Sequence, residues 1–274
     1  PISLAAVVRG YMPVLRTVRD LVTVARDRDI PFLAAAIAHY TLASLVPLLV
    51  LAVALAAFVG SEGAVQAFVQ NRLGSILSDS GQQLLTQALT STEGAVGAGV
   101  LSILAAFWSG SKVFRGLEVA FAEIYDIESE PSLLEQLRDA AVVIGLLAIS
   151  IAAMIAVGVV VSVVDLPLPY PAVFGTLVLM LTLVVGLLPV YYVLTPADVS
   201  LGDVLPGAVL AAVGLVALQV AFVYYTQMAG RYATLGVLGA LLLFVIWLYF
   251  GGIIVLLGGA LNYVTGPTTR LERL

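Results

Sequence analysis

The chain has 274 residues, is 61% hydrophobic and only 11% charged, carries a net charge of −5 and has a mean hydropathy of +1.11. Soluble domains hold about a quarter charged residues, so a water-soluble globule is excluded and the bilayer is the solvent for most of the chain. The acidic balance argues against a nucleic-acid binder, which needs a basic patch, and the absence of cysteine removes disulfides, zinc–thiolate sites and cysteine nucleophiles.

In chain order, residues 2–28 read as an amphipathic helix. Leu4, Val7, Val8, Tyr11, Val14, Leu15, Val18, Leu21, Val22 and Ala25 recur at helical spacing, away from Arg9, Arg16, Asp20 and Asp27. Such a helix either lies on the membrane surface or braces the bundle from below. The first apolar run then follows, too long and too late for a signal peptide.

A spanning helix needs about 20 mostly apolar residues. Stretches 31–59, 95–114, 140–164, 172–194, 204–226 and 235–264 qualify. Long non-alternating runs exclude a barrel, so these segments are helices. The expected fold is all-α: a polytopic membrane bundle of about six transmembrane helices with amphipathic interfacial helices. Its parts are an amphipathic segment (1–30), a transmembrane domain (31–264) with an outer helical loop (60–94), and a tail (265–274).

Ser132 with Glu135, and Ser200 with Asp203, each place an acidic residue three after a serine, a helix N-terminal signal. Pro206 suits an early helical position. Arg9, Arg16, Arg19, Arg26, Arg28, Lys112, Arg115, Arg138, Arg270 and Arg273 fall on one side of the bundle, against Arg72 and Arg231 on the other. Ten against two is a positive-inside signal for an even number of spans, with both termini cytoplasmic, in the cell membrane.

Polar groups inside spans are costly and face a partner or a cavity. Candidates for lining a cavity or substrate path are His39, Tyr40 and Ser44 in the first span. Trp108, Lys112, Arg115 and Glu118 at the end of the second share a face with Ser111. Gln219 and Tyr225 follow in the fifth, and Asn262 in the sixth. Each also has an ordinary reading: His39 as a packing histidine, Lys112 and Arg115 as snorkelling anchors, Gln219 and Asn262 as interhelical hydrogen-bonders. Pro47 and Pro189 are candidate kinks or hinges.

Three segments carry a resemblance. One is Ala34-Ala-Ala-Ile-Ala-His39-Tyr-Thr-Leu-Ala-Ser-Leu-Val-Pro47. Another is Trp108-Ser-Gly-Ser-Lys-Val-Phe-Arg115-Gly-Leu-Glu-Val-Ala-Phe-Ala-Glu-Ile-Tyr125. The third runs from Tyr225 and Tyr232 through Leu235-Gly236 and Trp247-Leu-Tyr249 to Leu256-Leu-Gly-Gly-Ala-Leu-Asn262. In order and spacing they are similar to the YihY/BrkB family, once labelled ribonuclease BN. The chain departs at Glu123, where the family often has Asn, and at Ala260, where it often has Glu. The resemblance implies a polytopic helical protein with a role in moving lipids or other envelope components.

These features favour a transporter or permease for an anionic or lipid-like substrate, with membrane lipids as partners and no metal, cofactor or nucleic acid. A membrane scaffold is the alternative. Nuclease chemistry needs clustered metal ligands, yet the single histidine is in a span and no nucleophile–base pair is evident.

Overall fold

The computed structural model describes residues 4–59, 111–127, 171–229 and 236–266, with Trp108 and isolated positions between 134 and 152. Among them every regular element is helical. They are α1 (Leu4–Asp27), α2 (Ile30–Val59), α3 (111–125), α4 (Pro171–Leu194), α5 (Leu201–Ala229) and α6 (Gly236–Thr265).

The limits of α2, α4, α5 and α6 fall within three residues of those expected from the apolar runs. Phe174–Leu194, Leu201–Tyr225 and Leu241–Thr265 are long and apolar enough to cross a membrane, and α2 adds a 30-residue apolar helix. This is a helical membrane bundle. The expected span 95–114, apart from its end, most of span 140–164, the loop 60–94, Ser132 and the tail lie outside the described residues.

Helix ends follow local chemistry. Asp29 sits between α1 and α2 at φ 46°, and its carbonyl accepts from the Phe32 and Leu33 amides at 2.8 and 3.1 Å. Aspartate is among the few residues that visit the left-handed region readily, so two helices meet at a two-residue corner. α3 ends in a Schellman motif: Ile127 N–H donates to Ala122 O at 3.1 Å and Asp126 N–H to Glu123 O at 3.3 Å, with Asp126 at φ 56° where glycine is usual. At α5 the expected cap forms. Asp203 Oδ2 accepts from the Ser200 amide at 3.0 Å and from Ser200 Oγ at 2.6 Å. Pro206 is the sixth residue of α5, so it leaves the Gly202 carbonyl without its helical donor.

The chain divides into two compact units. The first comprises 1–37, 115–233 and 249–274, and the second 38–114 and 234–248. In the first, α4 and α5 pack against each other. Its core gathers Ile30, Ala34, Phe121, Ile124, Tyr191, Val204, Ala208, Leu256 and Ala260. In the second, Phe244 stacks with Trp247 at 6.1 Å between ring centres.

Candidate functional site

Within the first unit, polar groups concentrate where α4 ends and α5 begins. Asn262 of α6 is 2% exposed. Its Oδ1 accepts from the Gly207 amide at 2.6 Å and its Nδ2 donates to Val204 O at 3.1 Å. One side-chain amide thus joins α6 to the α5 backbone beside the turn that Pro206 disturbs. The helices approach this closely because Gly207 and Gly258 lack side chains. A Cβ on Gly207 would strike Gly258 O and the Asn262 amide, and one on Gly258 would strike the Tyr191 hydroxyl. That hydroxyl donates to Val255 O at 2.8 Å, which ties α4 to α6, and the Tyr191 ring packs against Phe121 at 5.8 Å.

The end of α3 closes this region. Tyr125 packs edge-on against Tyr263 at 5.4 Å, and its hydroxyl lies against Thr195. Burial pushes the Tyr125 phenol up, and the Thr195 hydroxyl partly offsets it. Neither buried hydroxyl oxygen reaches hydrogen-bond geometry. Arg28, from the α1–α2 corner, pairs with Asp126 Oδ1 at 2.7 Å and with Glu123 Oε1 at 3.7 Å. The hydrogen bond from Arg28 holds the Asp126 carboxyl below its ordinary range.

Glu118 is the electrostatic exception. Its Oε2 is buried and makes no hydrogen bond. Burial, and secondly the Asp139 charge, raise its pKa to about 7 against the pull of Arg115. A protonated carboxyl exchanges an acceptor for a donor, so Glu118 changes both charge and hydrogen-bonding character near neutrality.

The structure separates the residues singled out from sequence. Asn262 and Ser44 are buried, and both are satisfied, Ser44 Oγ by Thr41 O of its own helix at 2.7 Å. Glu118 is half-buried and Arg115 exposed. Lys112 is exposed, with Nζ 5.2 Å from the centre of the exposed Trp108 ring, a cation–π distance. His39, Tyr40, Gln219 and Tyr225 lie on uncovered faces of their helices. Pro189 falls inside α4. α2 continues as helix through Pro47, whose side chain is outside the described set. An open groove of about 400 Å³ beside Tyr192, Asp198 and Ser200 touches none of these candidates.

Sequence reasoning missed Tyr191, Arg28, Thr195 and the Gly207–Gly258 contact. Two local signals bore on that contact: Gly251, Gly252, Gly258 and Gly259 in the last span would let another helix approach closely, and Pro206-Gly207 is a helix-loosening residue followed by one that admits a close neighbour; neither names the other as its partner.

The family model described as "Virulence factor BrkB" matches residues 21–272. The chain belongs to the BrkB family. It is also similar to the "Putative ribonuclease-like protein YfkH" of Bacillus subtilis (strain 168), at 27% identity over 252 residues, covering 86% of this chain and 90% of the relative. No solved structure matches. The BrkB model takes in α2 through α6 and the Asn262 crossing, so the geometry above is that of an integral membrane protein of this family.

Proposed function

We propose that this BrkB-family protein is a permease for an anionic or lipid-like envelope substrate whose polar part travels along uncovered faces of the spanning helices. The observation that carries this reading is Gln219. It lies on an exposed face of α5, inside the apolar stretch Leu201–Tyr225 and about 9 Å from its end at 1.5 Å per residue. An amide at that depth needs a hydrogen-bonding partner, and a passing headgroup or its water shell supplies one. His39 and Tyr40 on α2 offer similar groups, and Lys112 and Arg115 would attract an anion. The nuclease reading lacks such support: with one histidine and no cysteine a catalytic metal would have to be held almost wholly by carboxylates, and no observation among the described residues gathers them.

A scaffold is the second reading, and the same observation supports it if a partner helix covers Gln219. The two differ in water access. With single cysteines at positions 39, 112, 115 and 219 in oriented vesicles, a permease predicts that a membrane-impermeant thiol reagent modifies 39 and 219. Labelling at 112 and 115 alone, with 39 and 219 protected from both sides, would leave the scaffold.

A further inference from the structure

α1 faces two ways. Thr17, Leu21, Val24 and Arg28, at spacings of four and three, are partly covered. The opposite side is open: Leu15 is 67% exposed, Val18 52% and Val22 46%. Arg19 and Arg26 alternate with Leu15 and Val22 on the same ridge, and Arg16 flanks it. The exposed positions from 15 to 27 hold three arginines against one acid, Asp27, in a chain whose net charge is −5. An uncovered apolar ridge interleaved with cations is matched to a surface that is greasy below and anionic above. Arginine stems lie along the apolar layer while their guanidinium groups stay among the headgroups.

The corner decides which surface that is. Only Arg28 and Asp29 separate α1 from α2. The corner is held by the left-handed Asp29 and by the Arg28–Asp126 ion pair at 2.7 Å, and Ile30 just after it is 1% exposed. A helix tethered two residues from the start of α2, which the sequence reads as a spanning helix, already lies at the lipid headgroups. It therefore meets the leaflet without a search, whereas a soluble partner would have to compete for it.

We propose that the Leu15–Val18–Val22 ridge of α1, with Arg16, Arg19 and Arg26, is a docking surface for anionic phospholipid in the leaflet where α2 begins. The assignment is independent of what the protein carries.

Nitroxide probes on single cysteines in the full-length chain test it. V18C and V22C report the ridge, and T23C and D27C report its polar border. The protein is reconstituted in phosphatidylcholine vesicles with and without phosphatidylglycerol. With phosphatidylglycerol, 18 and 22 should collide preferentially with oxygen, and 23 and 27 with a water-soluble nickel complex. Each arginine near an anionic surface shifts the bound population about fivefold, so R16E/R19E/R26E should lower the embedded fraction at least about tenfold. R16K/R19K/R26K should restore it, which separates lost charge from lost folding. Nickel access at 18 and 22 in both lipid mixtures would overturn the proposal. So would protection from both reagents with spin–spin broadening, the mark of a second copy seated on the ridge.

Discussion

The two halves of α5 have much the same apolar composition and opposite fates. In the first half Val204, Gly207, Ala208, Ala211 and Ala212 are buried, a mostly small-residue stripe at helical spacing that meets Gly258 and Asn262 of α6 at Gly207 and Val204. In the second half Gln219, Val220, Ala221, Val223, Tyr224 and Tyr225 are all uncovered. Lipid tails are as apolar as leucine, so hydrophobicity does not draw helices together in a bilayer. Small residues that admit close backbones, and polar groups that bond across, do. The first half has both. The second has bulk, and its Gln219 is exposed.

The strongest way to break the contrast is to put bulk at the crossing. Gly258→Leu drives a side chain into the Tyr191 hydroxyl and the Gly207 carbonyl and should cost about 3 kcal/mol or more, read as a large drop in melting temperature in detergent. Gly251→Leu is its control, because among the described residues a Cβ there meets only the Leu215 side chain at 3.8 Å. Equal losses for the two would dismiss the crossing as a special site.

A smaller effect compares the two amides. Asn262→Ala removes two buried hydrogen bonds and should cost about 1–2 kcal/mol. Gln219→Ala should stay within about 0.5 kcal/mol, as exposed substitutions do, while lowering flux if the permease reading holds. A destabilised Gln219→Ala protein with Asn262→Ala unaffected would reverse the assignment of the two halves.

The smallest effect is one of pH at α3. Asp126 has a depressed pKa, so its contribution is present above the ordinary carboxylate range and lost as pH falls through its folded value. Glu118 is raised to about 7. Its contribution is complete below the ordinary carboxylate value and lost as pH rises through about 7. Melting temperature should therefore peak in mild acid. Glu118→Gln should flatten the alkaline side by a few degrees at most, and Asp126→Asn the acid side. An unchanged profile in Glu118→Gln would mean that water reaches this carboxyl freely.

The membrane helices were legible because uninterrupted apolar runs of this length have few other uses, and the Ser200–Asp203 cap because its partners are three residues apart. Which faces meet was not. α4, α5 and α6 are apolar all round, so periodicity does not separate a protein-facing side from a lipid-facing one, and Gln219 and Asn262 looked alike. Their neighbours held the distinction: Gly258 and Gly259 lie one turn before Asn262, whereas Val220, Ala221 and Phe222 follow Gln219. Arg28 was counted only as a topology charge, since its partner Asp126 is 98 residues away and no local rule connects them. α1 was legible as amphipathic, but its stripe divides. Leu21 and Ala25 turn partly inward while Leu15, Val18 and Val22 stay out, so it is at once brace and open face.

The amide-and-glycine crossing also bears on bilayer thickness. α5 and α6 have 29 and 30 residues, about 44 Å of helix at 1.5 Å per residue, against a hydrocarbon core of about 30 Å. The surplus is taken up by tilt or by projection beyond the core. Pinned through Asn262, Gly207–Gly258 and Gly214–Ile254, the first half of α5 resists sliding along α6, so tilt is the response to membrane thickness that the crossing leaves open.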